Sequence, residues 1–292
     1  MNRGLLLATT AYLIWGFAAL YWVQTEPITA PDLVAHRALW ALPVLVVSLL
    51  LMGRLGASLQ LLRQPRTMAI MACSALLQAL NWGIFLWAVT HQRATEASLG
   101  YFLLPLINVG IGIFLFKERI DRAQQIAVAL AAVGMLILIM ENRGLPWVAL
   151  GVSVSFGLYG AVRKAVSVGA VEGLLLETIV MAPFALGWLI VRDGAGFGLY
   201  GARVDALLLG AGVMTAVPLM CYVAASRLTA LSALGLVFYL GPSCQLLVAI
   251  CIFGEPMNPV QLFSFALVWL GLGFVAADTL RRYRSMRALR DE

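Results

Sequence analysis

Gln78, Asn81 and Trp82 stand in the middle of an otherwise apolar run. Spacings of three and four residues put all three on one face of a helix. That face offers amide donors and acceptors beside an indole, a chemistry that binds a zwitterion with a variable side chain rather than one that breaks bonds. Helix–helix hydrogen bonding uses the same residue types, so packing is the alternative reading of the cluster. In the next run Tyr101, Pro105 and Asn108 recur at i, i+4 and i+7, and Phe238 or Tyr239, Pro242 and Gln245 present a counterpart nearer the C-terminus. A proline inside a helix removes a backbone hydrogen bond and bends the chain. Gly100 and Gly241 beside these prolines add backbone freedom, so Gly100, Pro105, Gly241 and Pro242 are candidate hinges, with a fixed kink as the alternative.

Ionisable groups inside the apolar runs are few, and each needs a reason to be there. His36 and Arg37 fall about one turn into one run and Glu177 about one turn into another. Arg37 suits a carboxylate at an outer gate, or a guanidinium that merely snorkels to the interface. Glu177 is placed to neutralise Arg163 or Lys164 as a closing latch, close enough to water to stay charged, with titration as a proton-coupling group the alternative reading. His36 is a candidate substrate contact able to titrate near neutral pH. Trp15, Tyr159 and Tyr239 are candidate aromatic walls of the substrate site, with Tyr12 and Trp40 as further aromatics. Glu118 and Glu255 fall at helix ends and read as structural, while Gln124 and Gln261 open the following helices.

Catalysis finds no footing. The histidines are His36 and His91 alone, and neither HExxH nor GxSxG occurs. The only lysines are Lys117 and Lys164, and no GxxxxGK[ST] loop exists to cradle a nucleotide. Cys73, Cys221, Cys244 and Cys251 are scattered through apolar runs without a CxxC pair, so no disulfide, metal or cofactor is expected. Charged rings or a carbonyl filter of the channel type are also missing.

The elements that must carry these residues follow from composition. Of 292 residues 62% are hydrophobic and 12% charged, against roughly 25% charged in average soluble domains. Lipid is the solvent that tolerates such a surface. A span needs about 20 apolar residues, and the runs over 4–23, 32–52, 67–89, 95–116, 123–140, 146–163, 173–191, 204–226, 230–253 and 260–280 give ten. The joints at His91-Gln92-Arg93 and at Arg227 are the places where adjacent runs nearly merge. With the N-terminus in the cytoplasm, fifteen of the twenty basic residues face inward, five of them in the tail from Arg281 to Arg290. Arg37, Arg93, Arg143, Arg192 and Arg203 remain outside. The bias places both termini in the cytoplasm.

The chain also repeats itself. A shift of 137 residues lays Pro105 on Pro242, Glu118 on Glu255, Gln124 on Gln261 and Gly134 on Gly271. A shift of 144 lays Ala11–Gly16 on Ser155–Gly160. The expected fold is an all-α membrane protein of ten transmembrane helices in two five-helix repeats, 1–143 and 144–280, followed by a basic cytoplasmic tail over 281–292. Five spans per half invert the second half relative to the first. Inverted repeats characterise secondary transporters, which bind substrate near the midplane between the halves.

Several stretches resemble a known family: Ala11-Tyr12-Leu13-Ile14-Trp15-Gly16, His36-Arg37-Ala38-Leu39-Trp40, the run from Glu96 through Phe102, Pro105, Asn108 and Glu118-Arg119 to Gly134, and Ser155-Phe156 with Tyr159-Gly160 and Arg163-Lys164. The chain is similar to the drug/metabolite transporter superfamily of the two-EamA-domain type, most closely the RarD-like subgroup related to bacterial amino-acid exporters. The resemblance implies a multi-pass bundle in the bacterial inner membrane that exports small amphipathic metabolites. Amino acids are the leading substrate class, a chloramphenicol-type drug permease the second reading, and a membrane receptor or scaffold the alternative of another class. The partners implied are a small-molecule substrate and the lipid bilayer, with no nucleic acid and no enzymatic activity.

Overall fold

The computed structural model describes residues 3–117, 122–141, 146–164, 166–228, 237–238, 240–267, 269–271, 273–274 and 277–278. Among them the chain forms helices and turns with no strand. Helices satisfy their own backbone hydrogen bonds, which lipid cannot do for them. The order is α1 Arg3–Trp22, α2 Ala30–Leu51, a short α3 Leu55–Gln60, α4 Pro65–Thr90, α5 Ala94–Phe116, α6 Arg122–Glu141, α7 Trp147–Lys164, α8 Ala170–Val191, α9 Ala202–Leu228 and α10 Leu240–Leu247, which continues as a π turn over Val248–Ile252. A last helix, α11, covers 259–267. Five segments, Arg3–Thr25, Ala30–Leu51, Pro65–Thr90, Ala170–Val191 and Ala202–Tyr222, are long and apolar enough to cross a membrane.

Local chemistry sets the boundaries. Proline in the first turn opens α2 and α4, where its missing N–H costs nothing. Asp32 and Glu172 occupy the first turns of α2 and α8, facing the positive end of the helix dipole. Gly53 closes the α2 end with φ +66°, a left-handed conformation that glycine adopts without strain. The joint at 91–93 is a true break: α4 stops at Thr90, Gln92 turns at φ 54°, and α5 starts at Ala94. At the other joint, α9 runs unbroken past Arg227 to Leu228.

Small residues decide how closely the helices approach. α1 turns Ala8, Ala11, Ala18 and Ala19 inward as it packs on α9 and α10. A Cβ on Gly100 would stand 2.7 Å from the Ala149 carbonyl oxygen, so the absence of a side chain is what lets α5 lie against α7. α2 rests on α8 and α9, and α4 on α7 and α8. Outward, Leu51, Phe114, Phe184 and Val191 are exposed, the pattern of a lipid-facing surface.

Glu255 joins two segments 160 residues apart in the chain. Its buried carboxylate accepts the backbone N–H groups of Ala94 (2.7 Å) and Thr95 (2.8 Å) and the Thr95 hydroxyl (2.5 Å). It therefore caps α5 from a distance, meeting N–H groups that the helix cannot satisfy itself. Glu118 lies outside the described residues, as does the side chain of Gln124. Glu255→Ala is expected to cost about 1–3 kcal/mol of stability and Glu255→Gln less, because one acceptor remains. Thermal unfolding of the purified protein in detergent measures this, and an unchanged midpoint for Glu255→Ala would remove the capping role.

Candidate functional site

The polar stripe of α4 is buried along its length, from Ser74 through Gln78 to Asn81 and Trp82. Its members do different things. The Asn81 amide donates to the Val152 carbonyl (2.9 Å) and the Ser155 hydroxyl (3.1 Å) of α7, and its Oδ1 accepts the Tyr101 hydroxyl of α5 (3.3 Å). The side chain is thus committed to holding three helices together, the packing role open to such residues. Gln78 differs, because its buried Oε1 has no hydrogen-bond partner. An unmet acceptor in a dry interior is costly and marks a group that a ligand could satisfy.

Trp82 forms one wall around Arg37. The guanidinium lies 4.2 Å from the Trp82 ring centroid and 4.9 Å from that of Trp22, and Nε donates to the Thr215 hydroxyl of α9 at 2.9 Å. Arg37 is buried in the bundle instead of snorkelling to its edge. Stacking on indoles supplies attraction without a counter-ion.

Glu177 lies toward the opposite end of the same stripe. It is fully buried, so the expectation that water reaches it is corrected. Charge and hydrogen bonds take the place of water: Ser74 donates to Oε1 (2.5 Å), the Tyr159 hydroxyl to Oε2 (3.4 Å), and Arg163 Nε stands 3.6 Å away. Arg163 also reaches the Met71 sulfur (3.2 Å) and the Gly169 carbonyl (3.1 Å). Aromatic contacts connect the two ends. Tyr101 meets Phe156 at 6.1 Å between ring centroids, and Phe156 meets Tyr159 at 5.6 Å.

The other expected site residues fall elsewhere. His36 uses both ring nitrogens, receiving the Trp40 indole N–H at Nδ1 (3.3 Å) and meeting the Ala195 carbonyl at Nε2 (3.3 Å) in the loop that follows α8. It is tied to that loop and not to the α4 stripe. Trp15 belongs to a separate aromatic group with Tyr12 and Tyr222, at 5.7 and 6.1 Å. Gln245 donates to the Trp15 carbonyl (3.2 Å) and leaves its own Oε1 without a partner. Tyr239 lies outside the described residues, as does the side chain of Pro105. Pro242 lies within α10, where its carbonyl accepts the Ser98 hydroxyl (2.8 Å). A Cβ on Gly241 would make only ordinary contacts. A groove between α6 and the C-terminal helical residues, lined by Ala123, Ile126, Trp269 and Phe274, contains none of these polar groups.

Besides the local Arg93–Glu96 pair at the start of α5 (2.6 Å), two ion pairs between α2 and α8 were not anticipated from the sequence. Asp32 of α2 receives the Trp188 indole N–H (2.8 Å) and stands 3.6 Å from Arg192, just past α8. Glu172 of α8 meets Arg54, just past α2, at 2.8 Å. The pairs bolt the two ends of one antiparallel helix pair. A usable signal existed: Asp32, Arg37 and Pro43 recur as Glu172, Glu177 and Pro183 with identical spacings of five and six residues.

Comparison with known proteins agrees with this architecture. Residues 2–140 match the EamA-like transporter family. An uncharacterized transporter of Pseudomonas aeruginosa is 39% identical over 292 residues, covering 99% of this chain and 97% of that protein. Protein RarD of Escherichia coli is 35% identical over 286 residues, 97% of each chain. The chloramphenicol-sensitive protein RarD of Pseudomonas aeruginosa is 32% identical over 288 residues, covering 97% and 96%. A crystal structure superposes with a TM-score of 0.63 at 18% identity, over 95% of this chain and 98% of that one, a likeness of fold. The chain belongs to the EamA-like transporter family, as a multi-pass transporter of the bacterial inner membrane.

Proposed function

We propose that this transporter exports small amphipathic metabolites, amino acids foremost and with broad specificity, by alternating access between two inverted five-helix halves, 1–143 and 144–280, with both termini and the 281–292 tail in the cytoplasm. The observation that carries the substrate reading is the α4 stripe itself. It sets an unpartnered amide, Gln78, between a buried cation at Arg37 and a buried carboxylate at Glu177, beside the rings of Trp82, Tyr101 and Tyr159. Such a lining suits a dipolar molecule with an apolar side chain. The helix contacts support the inverted arrangement. Exchanging the halves turns α1·α9 into α4·α7, α1·α10 into α5·α7 and α2·α9 into α4·α8, while α2·α8 and α5·α10 map onto themselves, and all these contacts are present. A second reading, a drug permease of the chloramphenicol type, draws on the name of the 32% identical Pseudomonas aeruginosa relative.

Liposomes holding the purified protein separate the two. Saturable flux of labelled amino acids without flux of chloramphenicol is the expected result, and the reverse would establish the second reading. Flux of neither would leave a receptor or scaffold. Gln78→Ala and Trp82→Ala should lower amino-acid flux at least tenfold with folded yield unchanged. Asn81→Ala should instead lower the unfolding temperature, because it strands the Tyr101 hydroxyl and removes the ties to Val152 and Ser155 of α7. Normal flux in both site variants would remove the site assignment.

In this reading the bolts at the ends of α2·α8 are the gates, with Asp32–Arg192 outside and Arg54–Glu172 inside. In each pair the acid is buried while the arginine is about half exposed, so opening consists of the arginine swinging out to water. Carried in a cysteine-free background with Ala38→Cys as reporter, Asp32→Asn should speed labelling by an impermeant maleimide added outside, and Glu172→Gln should slow it. Equal labelling in both would sink the gate assignment. Alanine at position 105 or 242 should change turnover more than apparent affinity if these helices bend during transport. An affinity loss at constant turnover would count against the hinge.

A further inference from the structure

Among the ionised groups buried in the described part of this bundle, Arg37 is the one whose charge is not met by an opposite charge or a capped helix end. Glu177 has Arg163, Asp32 has Arg192, Glu172 has Arg54, and Glu255 has the start of α5. Arg37 is 7% exposed and stands within salt-bridge distance of no acidic side chain among the described residues. Its contacts account for only part of the guanidinium. Cζ lies over the Trp22 and Trp82 rings, and Nε is spent on the Thr215 hydroxyl, itself directed to the Ala211 carbonyl. The two Nη groups, which carry the in-plane fork, have no hydrogen-bond partner among the described residues.

An uncompensated cation at this depth is expensive. Packing alone would be served more cheaply by an apolar side chain. What the arrangement preserves is a guanidinium held over two indole rings and anchored at Nε, with both Nη groups lacking a hydrogen-bond partner among the described residues. That shape is complementary to a planar carboxylate, which accepts two parallel N–H bonds. The surroundings name the rest of the ligand. Trp82 is part of the cradle, and the Tyr101 ring continues to Phe156 and Tyr159, a wall for an apolar or aromatic body.

The geometry points to Arg37 as the carboxylate anchor of the transported molecule, so that the substrates are those carrying a free carboxylate on an apolar or aromatic body. This rests on reading the α4 stripe as the transport site. It narrows the substrate class and moves Arg37 from gate to binding residue.

Binding to the purified full-length protein in detergent tests it without requiring flux. The probes are L-phenylalanine, 3-phenylpropanoate, L-phenylalaninamide, phenethylamine and inorganic phosphate, followed by calorimetry and by the fluorescence of the stacked tryptophans. Both carboxylates should bind saturably and compete with each other, with the amide and the amine at least tenfold weaker. Arg37→Gln should lose at least tenfold in carboxylate affinity, and Arg37→Lys should keep part of it, holding the charge without the fork. Should Arg37→Gln fail to fold, the wild-type ligand series decides alone. Amide and carboxylate binding equally well, unchanged carboxylate affinity in folded Arg37→Gln, or no saturable binding of either carboxylate overturns the assignment. Phosphate competing as well as 3-phenylpropanoate also overturns it, because the site would then take any compact oxyanion. Carboxylate binding without amino-acid flux in liposomes would sink the transport reading and leave Arg37 standing. Equal flux of L-phenylalanine and phenethylamine would do the opposite.

Discussion

A polar group carried into hydrocarbon must find its partner within the protein. In this bundle that requirement organises the helices. Asn81 spends its whole amide on α5 and α7, Ser74 closes on Glu177 of α8, Thr215 of α9 holds Arg37 of α2, and Glu255 caps α5 from the far end of the chain. Close packing of small side chains lets helices approach but does little to fix their register in lipid, where every neighbour is equally oily. Directional bonds of this kind set which residue faces which. The atoms left out of the scheme, Gln78 Oε1 and the Arg37 fork, acquire meaning against that background.

The α2·α8 pair shows how the same rule operates at the membrane faces. Each helix begins with an acid and is followed by an arginine, so antiparallel packing puts acid beside base at both ends. Toward the middle the pattern stops being symmetrical: Arg37 of α2 corresponds to Glu177 of α8. On the proposed reading, a site beside these two helices carries a cation toward one side and a carboxylate toward the other. The carboxylate is neutralised by Arg163, and the cation is neutralised by nothing among the described residues. On the proposed reading of the site, its lining therefore favours anionic groups.

Most of the helices were legible in the sequence, because a bilayer-length apolar run bounded by charge admits few other structures. The expected runs at 4–23, 32–52, 67–89 and 95–116 match α1, α2, α4 and α5 to within two residues. The short α3 was not foreseen, since Leu55–Gln60 is too brief to leave a periodic signature. The Gln78, Asn81 and Trp82 face was readable from spacing, but the roles within it were not. Asn81 and Gln78 carry the same functional group, and only the position of Ser155 and Tyr101 decides that one is spent and the other free. His36 was singled out as a group able to titrate, and its partners, the Ala195 carbonyl and the Trp40 indole, could not be read from spacing because one of them lies in a loop 159 residues away. Glu177 misled because distance along the chain from a helix end is a poor measure of distance from water once neighbouring helices cover it.

Directional and non-directional contacts are not spread evenly over α4, and the difference bears on how it can move. Two hydrogen bonds from Asn81 fix α4 to α7, and one from Tyr101 fixes it to α5. Its contact with Arg37 of α2 is stacking on Trp82, which tolerates sliding, whereas its contact with Glu177 of α8 is a short hydrogen bond, which does not. Ser74 and Trp82 are eight residues apart, roughly 12 Å along the helix axis. A rocking of α4, α7 and α5 as one body would therefore turn about the Ser74–Glu177 bond and sweep the Trp82 end across the guanidinium. The partnerless Nη edge of Arg37 sits beside the path of that sweep, so a carboxylate held there would feel the motion and by reciprocity would bias it.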